Sequence, residues 1–441
     1  MFVARPQSRL LDLRFAAALA AVSLSAALFA ILFRGALQLA LGWLFDAHDT
    51  VSAMRAVPVW ARVLVPALGA LLGGLAARRA AGGPAGQVGD VMEAVVVGRV
   101  RLSLPRTLWK SLASWLAIVS GGSLGREGPL IQFGGAAGHT IAQRFGLEPR
   151  DGRLLIAAGT AAGFAAAYNT PFAATLFVLE VVLGVVVLDA FVPVLVATVV
   201  AATLTRAVIG PGPIYGPRSF HMSSSWELLL FFLLGVLGAL AAQGFMRLLS
   251  RAEKALRRPT LPLPLRPALG GLVAGLFVAV LPEVAGNGAE PLNALLDATP
   301  AVSVLVMLMV GKVLATTASV SSGSPGGVFT PTLLLGACVG TLLALAAGAL
   351  GWHGLSLGGF ALVGMAATTA ATTHAPLMAA VMVFELSGDY AVALPLLLAT
   401  ATATWISRWL RPESIYTAEL TERGVAWELT IDGRREAGRD A

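Results

Sequence analysis

The sequence predicts an all-α, polytopic integral membrane protein made of two repeated halves with broken and re-entrant helices. Three observations predict it. Of 441 residues, 57% are hydrophobic and only 12% charged, with a mean hydropathy of +0.80. Several apolar runs approach the length of a bilayer span. One patterned stretch beginning at Gly159 returns at Gly364 in the same register.

Composition comes first. A soluble domain carries about 25% charged residues. Half that proportion cannot cover a water-facing surface, so lipid must cover most of it. A crossing helix needs about 20 apolar residues. Phe15–Phe45, Val57–Ala77, Trp226–Leu249, Leu263–Leu281 and Val302–Val320 qualify, some with a lone arginine inside. Length alone would suggest two or three soluble domains; composition overrides it. No long polar run interrupts residues 1–423, which read as one membrane domain. Residues 424–441 are too few to fold alone and are expected to form a short, flexible cytoplasmic tail.

The formal net charge is +7, but the basic residues are dispersed beside apolar runs rather than clustered for nucleic acid. The positive-inside bias explains them. Arg5, Arg9 and Arg14 precede the first span and place the N-terminus in the cytoplasm. Arg78 and Arg79, then Arg251, Lys254, Arg257 and Arg258, fit cytoplasmic loops; Asp46–Ser52 and Pro211–Ser225 then face outside. The expected location is the cell (inner or plasma) membrane with both termini cytoplasmic. A single cysteine, Cys338, rules out a disulfide within the chain and a thiolate metal cluster. The first apolar run exceeds the signal-peptide core of about 7–15 residues, so it reads as a retained helix.

The repeat organises the rest. Gly159, Pro171 and Glu180 recur as Gly364, Pro376 and Glu385, each 205 positions on. Pro129 and Gly138 recur more weakly as Pro331 and Gly340, each 202 positions on. The halves run over about 55–209 and 262–409, with the basic loop Arg251–Arg258 between them. Repeats of this kind in transporters are often inverted, with the site at their interface. Irregular backbone at membrane depth survives only inside protein or beside a water-filled cavity. Ile118–Gly125 and Ser321–Gly327 are such Ser/Gly/Pro interruptions. Gly69, Gly73, Gly74 and Gly235 read instead as glycines for close helix packing.

Chemistry concentrates at Gly125-Arg126-Glu127-Gly128-Pro129. Pro129 suits the first turn of a helix, whose free N–H groups form a positive pole that attracts an anion. A carboxylate there resembles a bound anion. It can occupy the site, compete with a mobile anion, and leave when protonated. The bland reading is a helix cap or an Arg126–Glu127 salt bridge, but adjacent helical residues point apart. Gly326-Gly-Val-Phe-Thr-Pro331 also precedes an apolar helix, and its N–H groups can replace part of an ion's hydration shell. As a pattern alone it is weak; its matching place in the repeat raises it.

These motifs resemble those of the CLC family of chloride channels and chloride/proton exchangers. Gly125–Pro129 is similar to the motif with the gating glutamate, and Gly327-Val-Phe-Thr-Pro331 to the G-x-F-x-P motif whose amides line the anion site. Ser414-Ile-Tyr416 is similar to the segment that supplies an anion-binding tyrosine. The resemblance covers about Phe15 to Arg423. It implies that Glu127 gates. It implies that Gly125, Arg126, Gly128, Gly327, Val328, Phe329 and Tyr416 surround the anion, and that the protein is a homodimer with one pore per subunit. The cargo would be chloride or a similar small anion, with no cofactor and no large cytoplasmic regulatory domain. Two departures stand out. Where the family has a serine hydroxyl on the anion, Gly86 stands here beside Gln87, so weaker discrimination between chloride and nitrate is expected. Where many exchangers carry an inner proton glutamate, just after Glu180, this chain has Val181. An apolar side chain cannot relay a proton, so passive, channel-like transport is expected, with chloride/proton exchange as the alternative.

Other polar residues carry two readings each. Glu180 and Glu385 are either proton stations or satisfied acids at helix ends. Lys312 either raises the potential for anions or pairs and snorkels. His139 and His374 read as structural. An intramembrane enzyme is the rival class, and Gly121-Gly-Ser123-Leu-Gly125 matches G-x-S-x-G. A hydrolase needs that serine on a strand-to-helix turn with an acid and a histidine beside it; here an apolar run precedes it. Neither H-E-x-x-H nor G-x-x-x-x-G-K-[ST] occurs.

Overall fold

The computed structural model describes residues 13–80, 88–98, 100–210, 215, 220, 222, 224–256, 262, 264–298, 300–422, 424–425, 427–430 and 433–436. The first half begins with α1 (Leu13–Phe45), α2 (Thr50–Ala56) and α3 (Val59–Arg78). The short α4 (Val88–Met92) continues as a π-helical segment, Glu93–Val97. Next come α5 (Leu104–Val119), α6 (Glu127–Arg144), α7 (Pro149–Tyr168), α8 (Pro171–Leu176) with a π-helical extension Phe177–Leu183, and α9 (Leu188–Ile209). The second half holds α10 (Glu227–Leu256), α11 (Leu265–Val280), α12 (Ala289–Asp297), α13 (Val302–Ser321) and α14 (Phe329–Ala349). It ends with α15 (Leu357–Thr373), α16 (Pro376–Ser387), α17 (Ala393–Leu410) and α18 (Thr417–Glu422).

Among the described residues, six stretches are long and apolar enough to cross a bilayer, including α9, which the apolar runs of the sequence did not single out. The run Leu263–Leu281, expected to be a full span, yields only the 16-residue α11. Pro264 and Pro282 bound it, because proline cannot extend a helix inward past its first turn. Large apolar side chains such as Leu13, Trp43, Leu188, Trp405 and Trp409 point outward, as lipid-facing residues must.

The inverted repeat is visible in paired contacts. At Gly125 and Gly327 the two halves form an antiparallel bridge, N–H to C=O at 2.7 Å one way and 2.8 Å the other. Glu385 accepts the N–H groups of Phe172 (3.0 Å) and Ala173 (2.8 Å) at the start of α8. Glu180 accepts those of Leu377 (3.3 Å) and Met378 (2.6 Å) at the start of α16. Each half thus caps the other's helix with the same residue, the reciprocity that a two-fold relation demands. A carboxylate at a helix N-terminus meets both free N–H groups and the positive pole. The pattern extends to backbone: Asn169 and His374 end α7 and α15 in the left-handed region at φ 58° and 59°. Arg206 holds the Asn169 carbonyl and Arg408 the His374 carbonyl.

Helices α7 and α15 are buried along most of their length and rich in glycine, alanine and threonine. A Cβ at Gly159 would strike the Gly134 carbonyl, and one at Gly364 the Gly336 carbonyl. Close backbone approach therefore packs α6 on α7 and α14 on α15, as small residues do where lipid removes the hydrophobic drive. Gly69, Gly73, Gly74 and Gly235 also sit against neighbouring segments, in agreement with the packing role read from sequence.

One expectation needs correcting. Residues expected to form a structureless tail contain a hairpin: β1 (Trp427–Thr430) pairs antiparallel with β2 (Gly433–Glu436). β2 rests against the π-helical segments Glu93–Val97 and Phe177–Leu183. Trp427 and Thr430 favour strands, and a hairpin too small to stand alone is stable when packed on a larger body.

Candidate anion-conducting site

The site lies where α6 and α14 both begin. Each helix starts directly after the Gly125–Gly327 bridge, so two N-terminal poles of about half a positive charge converge on one place. Glu127, 1% exposed, fills it. Its Oε1 accepts the Phe329 N–H at 2.7 Å, and its Oε2 accepts the Tyr168 hydroxyl at 3.2 Å. The bland reading, an Arg126–Glu127 pair, does not describe this carboxylate: it crosses to the other half of the protein. A Cβ at Gly125 or Gly327 would land on it, so both glycines leave the room it uses. An ionised group at this depth is costly unless satisfied; two helix poles and two hydrogen bonds satisfy it.

Beneath lies a cavity of about 510 Å³ whose wall includes Glu127, Gly128, Gly327, Val328 and Tyr416. Tyr416 rests edge-on against Phe177 at 5.9 Å, Phe177 stacks on Phe164 at 4.6 Å, and Phe164 meets Phe329 at 5.4 Å. This aromatic row ties the tyrosine of the C-terminal segment to the α14 motif. The basic side chains of Arg78, Lys110, Arg266 and Arg411 join the rim, with Glu253 and Glu419. Sequence reasoning missed all four as site residues. They are scattered over the chain, and only the fold gathers them at one rim.

Most of the motif residues singled out from sequence therefore converge: Gly125, Glu127, Gly128, Gly327, Val328, Phe329 and Tyr416. Arg126 occupies the N-cap position of α6 without a side-chain cap hydrogen bond, within electrostatic reach of Arg34, Tyr168 and Tyr215. Gly86 and Gln87 lie outside the described residues. Their neighbour Val88 lines the cavity, and Asp90 pins the start of α4 through Lys110 at 3.1 Å and Gln132 at 3.0 Å. Asp90 and Lys110 are both largely buried. Lys110→Met is accordingly expected to lower stability by about 3–5 kcal/mol, the cost of breaking one side of a buried pair. Denaturation of the detergent-solubilised protein measures this, and an unchanged midpoint would remove Lys110 as the anchor of α4.

Glu180 and Val181 do not reach the site. Glu180 spends both oxygens on α16, and Val181, 1% exposed, packs into the core. Lys312 is wholly buried and donates to the carbonyls of Val284 (2.9 Å) and Gly286 (2.7 Å). The Gly286 carbonyl in turn accepts the Leu124 N–H, so Lys312 braces the loop that supports the Glu127 motif. Ser123 shares its hydroxyl with Thr316 at 2.9 Å, while His139 bonds Gln143 and His374 bonds Ser407. The G-x-S-x-G serine thus has no histidine beside it among these bonds.

Comparison with known proteins bears on the family and the fold. The family described as "Voltage gated chloride channel" matches residues 68–408. A ClcB-like protein of Ralstonia nicotianae is 39% identical over 411 residues, covering 90% of this chain and 95% of its own. The voltage-gated ClC-type chloride channel ClcB of Salmonella typhimurium is 36% identical over 422 residues, covering 91% and 97%. Among solved structures, a slow cyanobacterial Cl−/H+ antiporter superposes with a TM-score of 0.82 at 25% identity, over 93% of this chain and 98% of that one. A CLC-type fluoride/proton antiporter shares the fold with a TM-score of 0.73 at 21% identity, over 92% and 98%.

Proposed function

This chain belongs to the CLC family of voltage-gated chloride channels, and from that premise we propose that it transports chloride passively through a pore gated by Glu127. The observation that carries the reading is the Glu127 carboxylate seated on the Phe329 N–H between two helix starts, the place an anion would take. Chloride enters from the cavity past Arg78, Lys110, Arg266 and Arg411, and meets the Tyr416 hydroxyl and the amides of Val328 and Phe329. Gly125, Arg126 and Gly128 form the opposite pole, and the family resemblance gives Gly86 and Gln87 a part in anion binding. The charge bias of the sequence supports a cavity opening to the cytoplasm, with both termini there, in the cell membrane. The family resemblance supports a homodimer with one pore per subunit, and the exposed apolar side chains support contact with lipid.

Coupling to protons is the point on which related proteins divide: one is titled a channel and another a Cl−/H+ antiporter. Val181 is apolar and lies in the core, and Glu180 is held by the N–H groups at the start of α16, so neither serves as an inner proton station, which supports passive flux. An outward chloride gradient imposed on liposomes is expected to drive chloride without moving protons uphill. Stoichiometric proton movement that disappears with Glu127→Gln would make the protein an exchanger.

A further inference from the structure

We propose that the Tyr168 hydroxyl is a ligand of the transported anion: once the Glu127 carboxylate leaves, this phenol donates to the anion that takes its place, and Thr330 sets its direction. The inference rests on the function proposed above and adds a side-chain donor that no sequence motif marked.

Tyr168 is the last residue of α7, where the left-handed Asn169 turns the chain away. Its ring is fixed between Phe164, at 5.0 Å, and Phe329, at 5.6 Å, and it is 3% exposed. Its oxygen lies 3.2 Å from Glu127 Oε2 and 2.8 Å from Thr330 Oγ1. A phenol has one proton to give and lone pairs to receive, whereas a carboxylate only receives. With Glu127 ionised, the proton therefore points at Oε2 and the Thr330 hydroxyl donates to the phenol oxygen. The relay Thr330 to Tyr168 to Glu127 is buried throughout, Thr330 and Glu127 each being 1% exposed.

A halide is also an acceptor only. When the carboxylate departs, an anion at the vacated position can take the proton that Oε2 accepted; turning that proton to Thr330 Oγ1, 2.8 Å away, would instead forfeit the bond that Thr330 donates to the phenol oxygen. Thr330, still donating into the phenol oxygen, keeps the proton aimed there. The anion would then sit between the Phe329 N–H and the Tyr168 O–H. Tyr168 thus supplies a side-chain donor in addition to the Tyr416 hydroxyl.

Calorimetric titration of chloride into detergent-purified protein tests it. Glu127→Ala serves as the parent, because it empties the position. All titrations use one pH, so that Arg126, Lys312, Tyr215 and Tyr416, which are electrostatically linked to Glu127 or Tyr168, and Glu290, which is linked to Tyr215 and Lys312, stay common to every variant. Adding Tyr168→Phe is expected to weaken chloride binding about tenfold, the scale of one hydrogen bond to an ion, and to change the chloride-to-nitrate ratio. Adding Thr330→Val is expected to weaken it less, and Thr330→Ser to leave it near the parent. Equal chloride affinity and an equal anion ratio with Tyr168→Phe would overturn the inference and leave the pore intact. A parent that binds no chloride at all would overturn the pore reading and this inference with it.

Discussion

Replacing Glu127 with glutamine is expected to abolish the pH dependence of chloride flux and hold flux at its acid limit. The carboxylate now occupies the meeting point of two helix poles and accepts the Phe329 N–H at 2.7 Å. That hold is electrostatic: a charge-assisted hydrogen bond is roughly twice as strong as a neutral one. Protonation removes the charge, weakens the hold and frees the place for an anion. Flux through the unmodified protein should therefore rise as pH falls and shrink as pH rises. Glutamine never carries the charge, so its flux should be flat and exceed the unmodified protein's at neutral pH by on the order of tenfold. Chloride efflux from liposomes across the acid-to-neutral range measures both curves. A pH profile that survives the substitution would remove Glu127 from the gate.

Gly327→Ala should have the opposite result, a loss of flux of at least about tenfold with the protein still folded, because steric occupation of a bound position cannot be relieved by titration. A methyl there would lie on the present position of the Glu127 carboxylate. The colliding group is the end of a flexible side chain, so the fold can yield; the anion position cannot. Adding Glu127→Gln should not restore flux, since the methyl, not the charge, fills the space. Gly348→Ala, which meets nothing within 4 Å, is the matched control. Full flux through Gly327→Ala would mean that anions pass elsewhere.

The two glutamates of the repeat show how far sequence reasoning reached. The 205-residue spacing gave Glu180 and Glu385 as equivalents, and two readings stayed open for each. The structure gives their partners: each accepts two N–H groups at the start of the opposite half's helix. No local pattern could supply this, because each partner lies about 200 positions away and is a backbone group, which leaves no trace in side-chain identity. Lys312 is a similar case, its two readings replaced by a brace on backbone carbonyls.

By itself the sequence determined the membrane class, the repeat, and the motif residues Gly125–Pro129 and Gly326–Pro331. Charge depletion, periodic glycine and proline, and helix-start chemistry are local properties written in residue type. Only the tertiary structure decided that the two helix starts face each other across an antiparallel bridge, and that Glu127 reaches over it to Phe329. Only the fold gathers Arg78, Lys110, Arg266 and Arg411 at one mouth and sets Tyr168 beside the gate. Tyr168 ends an alanine-rich helix and belongs to no motif that marks an anion site. Its role depends on where a single hydroxyl points, and that direction is fixed by rings and partners brought together only when the two halves pack.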